Sequence, residues 1–459
     1  MRVPVPLEQL SNSGDASAPS QPTRERWDLA FAGIMIYLIV EYTRLAEMFP
    51  VLRPLQPAKF AIALSGLGLI FAPRRSVPRS ARCGSVYAAL VCFFLASVLS
   101  ACFAEYQPVA WAQVLDIFRW CIVGFLLPRA LTNSWRMRVF TFVYLLLNLK
   151  LAQFAIRGFV SMRATGLSDE FMAVHGIGAG STGFFGNAGD FGVAMCVVWP
   201  LAASMFASET KRWRKYFFAL CFVLFLGAVV VTGSRGAMLG VAVVSLLSFM
   251  RGSRKVLGVV MMLIVGAALF SVVSAASKAR MQSALDPDHD ATAADRIEKW
   301  KAGLKMFSEH PIFGVGPGNF PPEYLAEHSG SERGLMAWAP HSIYLQGLAE
   351  LGIAGCVPLL ILFWLPFSLN AKTRKLLHSL GAEKSRRFEY QLAWGLDLAL
   401  VAYLVSGAFL TVLYYPHLWF ILGLSAALYT MTSSSTHESG RGTDQWETQG
   451  FADGIGTAR

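Results

Sequence analysis

With 459 residues, 54% of them hydrophobic and only 15% charged, and a mean hydropathy of +0.47, the chain is too apolar for a soluble domain, where about a quarter of residues carry charge. The composition reads as an integral membrane protein that turns apolar surface toward lipid. A net charge of +11 would suit a nucleic-acid partner if the cations clustered, but they are dispersed through short loops on alternate sides of apolar runs, which is a topology signal.

The chain opens on a polar stretch, Met1 to Glu25, without the apolar segment of a cleavable leader. Residues 1–26 are therefore expected to be disordered and cytoplasmic, and the first span to serve as an uncleaved anchor. Apolar runs of near-spanning length follow at 29–46, 57–72, 84–104, 108–127, 137–156, 187–207, 215–232, 236–250, 256–275, 342–369, 391–411 and 414–431, which makes twelve expected helices. Every second loop is basic: the first of these holds Arg74, Arg75, Arg79 and Arg82, and the last holds Lys372, Arg374, Lys375, Lys384, Arg386 and Arg387. The alternation predicts both termini on the cytoplasmic side. The loop 157–186, the turn at Arg235 and the long loop 276–341 then share the outer face. The domain plan is a cytoplasmic N-terminus (1–26), helices one to nine (27–275), an outer loop (276–341), helices ten to twelve (342–432) and a disordered cytoplasmic tail (433–459). The seven cysteines fall in or beside apolar runs with no CxxC pair, and read as small apolar packing residues.

Polar chemistry concentrates on that outer face. Thr232-Gly233-Ser234-Arg235-Gly236 is a tight turn that opens a membrane helix. The bland reading of Arg235 is a headgroup anchor; a guanidinium at a helix N-terminus with small residues beside it is also a favourable anion site. In the long loop, 291–307 reads as an amphipathic helix with Ile297, Trp300, Leu304 and Phe307 along its apolar stripe, and with Trp300 four residues from Arg296, where an indole can brace a guanidinium. Taken alone, Arg296 is a solvated helix charge. With Arg235 and Arg163 on the same face it completes a cationic cluster suited to a diphosphate. His341 stands where loop meets membrane, with Ser342, Tyr344 and Gln346 following; it reads as an interface residue or as a general base near an acceptor hydroxyl. His310 and His175 read as structural, Asp116 and Arg119 as an internal pair, and Asp190, Glu350 and Asp397 as intramembrane acids of open role. Gly314-Val315-Gly316-Pro317-Gly318 is not a nucleotide loop, since no strand precedes it and no helix is expected to open after it. Asp286, Asp288 and Asp290 do not open a calcium loop, because Ala291 and Ile297 stand where Gly and Glu are required.

Taken together, the turn 232–236, Arg296-Ile297-Glu298-Lys299-Trp300, the run His310 to Phe320, and His341-Ser342 followed after nine residues by Gly352-Ile353-Ala354-Gly355 resemble the O-antigen ligase and polymerase family of bacterial envelope glycosyltransferases. Arg163-Ala164-Thr165-Gly166 and Gly183-Phe184-Phe185-Gly186-Asn187 are similar to the family's lead-in, although Ala188-Gly189 replaces its usual Pro-Asn. The resemblance covers about 160–360. It implies an all-α polytopic membrane fold of GT-C-like architecture in the bacterial inner membrane. It further implies a metal-independent, inverting enzyme that moves a glycan from undecaprenyl diphosphate to an acceptor hydroxyl at the periplasmic face. The acceptor is lipid A–core or similar in a ligase, a second lipid-linked repeat in a polymerase. His341 would be catalytic; Arg235, Arg296 and Arg163 would hold the diphosphate; Trp300, Asn319, Ser342 and Tyr344 would support them. No cofactor is called for, because the donor linkage stores the energy. A multi-span secondary transporter also has about twelve helices, but such proteins show matching halves and mid-membrane charges, and no halves match in this chain. A non-catalytic scaffold or flippase partner is the remaining class.

Overall fold

The computed structural model describes residues 27–71, 83–165, 185, 187–251, 291–328 and 339–434, and all regular structure among them is helical. The expected span 256–275, His175, the three aspartates at 286–290 and both chain ends lie outside the described residues. In chain order the principal helices are α1 (Leu29–Thr43), α2 (Pro57–Phe71), α3 (Gly84–Cys102), α4 (Gln107–Ala130), α5 (Ser134–Ala164), α6 (Ala188–Ser208), α7 (Arg212–Val231), α8 (Arg235–Arg251), α9 (Ala291–Glu309), α10 (Phe320–Glu327), α11 (Ile343–Ser379), α12 (Arg387–Gly407) and α13 (416–434). Among the described residues seven helical stretches are long and apolar enough to cross a membrane, and α1 is apolar but shorter.

Two helices form the axis of the bundle. α6 is buried at every residue from Asp190 to Ala202. α13 is buried from 416 to 428, with Phe420 against Tyr42, Trp120, Phe140 and Tyr144 and with Trp419 against Phe93. In lipid, helix association depends on close backbone approach. Accordingly α1 and α2 cross where a Cβ on Gly33 would lie 2.4 Å from the Ser65 nitrogen and one on Gly68 would lie 2.3 Å from that of Ala30. Ser65 Oγ seals that crossing by donating to the Ala30 carbonyl at 2.8 Å.

Helix ends segregate by charge. One end carries the buried Arg136, 2.7 Å from Asp28, the Ser134–Glu389 hydrogen bond, and Trp394 sandwiched between Arg251 and Arg374, whose guanidinium carbons lie 3.4 and 3.8 Å from its ring centre. Arg374 is neutralised by Asp397 at 2.5 Å. The opposite end gathers residues 100–104, 187–190, 232–236, 310–320, 341–350 and 408–415, as the contacts below establish.

Three expectations need correction. α5 runs on to Ala164, so Arg163 sits in the last turn of a helix rather than in a loop; its side chain is not among the described residues. α13 continues to 434, into the expected tail. The expected span 342–369 is a longer element broken at Gly352, whose φ of 58° and ψ of −163° are not helical.

Candidate functional site

The break at Gly352 explains why two glycine-rich motifs occur together. An interrupted helix frees backbone groups that must be paired when buried. Here the carbonyls of Ala349 and Glu350 accept from the N–H groups of Val315 and Gly316 at 2.9 and 3.0 Å, and the N–H groups of Ile353 and Ala354 donate to Pro311 and Ile312 at 2.9 and 3.0 Å. Ser100 Oγ also donates to the Glu350 carbonyl, at 2.8 Å. The run 310–319 is thus spliced into the broken helix by four backbone hydrogen bonds. A Cβ on Gly314 would fall 2.4 Å from the Glu350 carbonyl carbon, and one on Gly352 would fall 2.5 Å from the Ile312 oxygen. Asn319 belongs to this splice: it is fully buried and its amide donates to the Val315 carbonyl at 3.1 Å. A short helix, α10, does follow the glycine run, contrary to expectation, but the element before it is α9, not a strand.

The second organiser is the connection 408–415 between α12 and α13. Thr411 Oγ1 accepts the His341 backbone N–H at 3.0 Å. Phe409 meets the Trp300 ring at 6.3 Å. Gly236 lies under Phe409 and Leu410, which a Cβ there would approach to 3.2 and 3.4 Å. Tyr414 donates to the buried Glu350 carboxylate at 2.7 Å, and Tyr415 donates to Asp190 at 2.7 Å. The backbone N–H groups of Gly318 and Phe320 also bond to Glu350. Consecutive tyrosines therefore tie α11 and α6, through two buried acids, to one short segment that touches the His341, Trp300 and Arg235 regions.

His341 is part-buried and holds a left-handed backbone, φ 49°, which costs a non-glycine residue about 1–3 kcal/mol and concentrates at functional positions. Burial, then the nearby positive charges of Arg296 and Lys299, push its imidazole down to about 4, against a smaller opposing pull from Asp295. The ring is therefore neutral at physiological pH and able to accept a proton. Lys299 is buried and paired with Asp295 at 2.9 Å; sequence reading passed over it, although its i, i+4 acid was a usable signal. Trp300 Nε1 is buried and meets no acceptor among the described residues. Arg235 is the first residue of α8, half-buried, in a turn reversed by Gly233 at φ 64°. Ser342 is buried at the N-cap of α11. Tyr344 faces outward and donates to the Leu404 carbonyl at 3.0 Å, which joins α11 to α12 rather than reaching the His341 ring's surroundings. The expected stripe on α9 is rotated: Ile297 and Leu304 are exposed, and the buried face is Lys299, Ala302, Gly303 and Met306. That face packs on Phe320, Leu345 and Ala349, which a Cβ on Gly303 would meet at 3.4, 3.8 and 3.9 Å.

Removing either tyrosine hydroxyl takes one hydrogen-bond donor from a buried carboxylate. Tyr414→Phe and Tyr415→Phe should each destabilise the protein by about 1–3 kcal/mol, read as a lowered unfolding midpoint of the purified protein. Unchanged midpoints in both variants would remove the 408–415 segment from its organising role.

Fold and site define a multi-pass helical membrane protein with a cationic, histidine-bearing site at one end of its bundle. Residues 220–360 match the family model described as O-antigen ligase, a stretch that contains Arg235, Arg296, Trp300, Asn319, His341, Ser342 and Tyr344. Over that stretch the chain is similar to an O-antigen ligase domain, which supports a function of O-antigen ligase or polymerase type. No curated protein matches the chain.

Proposed function

We propose that the protein is an O-antigen ligase-like glycosyltransferase that moves a glycan from undecaprenyl diphosphate to an acceptor hydroxyl of lipid A–core type. The observation that carries the reading is the common neighbourhood of a neutral imidazole, two α9 cations and the Arg235 turn around 408–415. In this reading twelve spans form a GT-C-like bundle in the bacterial inner membrane, both termini are cytoplasmic, and 276–341 with the other loops of the site end face the periplasm. A polymerase, taking a second lipid-linked repeat as acceptor, uses the same leaving-group chemistry.

His341 takes the proton of the acceptor hydroxyl as its oxygen attacks the anomeric carbon. The bond from that carbon to the phosphate oxygen breaks, and polyprenyl diphosphate departs with the electron pair, inverting the anomeric centre. Arg235 and Arg296, with Arg163 as a third candidate, meet the charge that builds on the leaving group, as fixed cations do in phosphoryl chemistry. Ser342 sets the start of α11, Asn319 and Tyr344 hold the frame, and Trp300 Nε1 offers a further donor. The guanidiniums do the work that a divalent ion does elsewhere, so transfer should survive a chelator. A bound diphosphate would also offset the Arg296 and Lys299 charges and strengthen His341 as a base when the donor is in place.

The test is transfer by purified protein with lipid-linked donor and acceptor, chelator present. Because the required form is the neutral imidazole, kcat/KM should stay level between about pH 6 and 8 and fall only as pH drops toward about 4. The acid limb of kcat should lie higher, by the donor's effect on the base. His341→Ala should abolish transfer at unchanged protein level; retained transfer would end the assignment. Accumulation of long chains on the carrier lipid in a deletion strain marks a ligase, and single attached repeats mark a polymerase.

A further inference from the structure

One buried charge on α9 has fewer partners than its burial requires. Lys299 is 2% exposed, and its ammonium donates to Asp295 Oδ2 at 2.9 Å. That is its one hydrogen bond among the described residues, although an ammonium carries three N–H donors. A buried ion pair offsets its desolvation only when the remaining donors are satisfied as well. The Asp295 side chain is 39% exposed, so water solvates the acid and the pair is a poor device for holding the fold together.

The pair borders the transfer site. Lys299 and Asp295 both act on the His341 imidazole, with opposite signs. The next residue, Trp300, meets Phe409 at 6.3 Å and buries an indole N–H that has no acceptor among the described residues. Consecutive residues of α9 thus bring unused N–H donors to the surroundings of His341 and Phe409. Neither side chain can accept a hydrogen bond, so the complementary ligand is rich in acceptor oxygens, and the charge of Lys299 makes it an anion. Arg296 precedes Lys299 by three residues, which makes the two neighbours on the helix surface, about 5–6 Å apart at Cβ. At that spacing each phosphate of a diphosphate meets its own cation, whereas a monophosphate engages one.

We propose that Lys299 binds the second phosphate of the polyprenyl diphosphate and makes the site select a diphosphate over a monophosphate. This rests on the transfer reading and adds to it a specificity-determining residue. Full-length protein in phosphatidylcholine nanodiscs is titrated with undecaprenyl diphosphate or undecaprenyl monophosphate, and binding is read by native mass spectrometry. Lys299→Met should weaken the diphosphate by about 10- to 100-fold, the loss of one hydrogen bond to a charged group, and leave the monophosphate unchanged. Lys299→Gln, which keeps an N–H for Asp295 but loses the charge, should behave alike. Both variants should fold, because the acid they leave behind is solvated. Wild-type affinity for the diphosphate in both variants, or an equal loss for the two lipids, would overturn the proposal. Arg235→Gln and Arg296→Gln separate that result from failure of the reading beneath it. If they weaken the diphosphate and the Lys299 variants do not, the transfer site stands without Lys299; if none of the four weakens it, the transfer reading fails as well.

Discussion

Arg235→Ala should lower glycan transfer by about 10²–10³-fold, the usual cost of removing one preorganised group that meets developing charge, while the protein still reaches the membrane at normal level. Arg235 opens α8, where, on the proposed reading, helix-terminal N–H groups and the guanidinium would act on the same anion. Arg235→Lys keeps the charge and loses the planar fork, so it should recover only part of the rate. The two variants are compared by initial rates at saturating donor. Full activity in the lysine variant would reduce Arg235 to a headgroup anchor and leave the leaving-group role to α9.

Gly352→Val should be strongly destabilising. Its φ of 58° excludes a β-branched residue without strain, and its Cβ would overlap the Ile312 carbonyl at 2.5 Å. Relieving the overlap separates the chain from 310–314 and endangers four backbone hydrogen bonds, each worth about 1 kcal/mol net and more when left unmade. The expected loss is about 3–5 kcal/mol with transfer abolished. Gly381 provides the control: its φ is 61° but nothing lies within 4 Å of an added Cβ, so Gly381→Ala should cost only about 1 kcal/mol. Thermal unfolding of the purified variants reads both. Equal midpoints for the two would mean that the splice contributes nothing beyond local strain.

How far the sequence could be read differs by element. Apolar run length located nearly every described helix, because lipid leaves a spanning backbone few alternatives to the helix. Periodicity failed on α9: it selected Ile297 and Leu304 as the buried face, whereas the face that packs on Phe320 and Ala349 is Lys299, Ala302, Gly303 and Met306. The segment 408–415 was compressed to two residues between expected spans, since Phe409 to Tyr415 is nearly as apolar as the helices it joins. Gly407 and Pro416 were the available signals. Glu350 and Asp190 looked like isolated intramembrane acids; their partners, Tyr414 and Tyr415, lie 64 and 225 residues away.

The order of residues alone determined the membrane class, the helical secondary structure and the choice of His341, Arg235 and Arg296 as candidates, because those follow from hydropathy, charge and side-chain chemistry, which are local properties. Tertiary structure decided which of the motifs frame the site and which carry its charge. The glycine-rich runs became a backbone splice, Asn319 and Tyr344 became braces, and Lys299 joined Arg296 beside His341. That division has a physical cause: buried backbone groups and carboxylates must find partners, and the partners that satisfy them are supplied by segments far away along the chain.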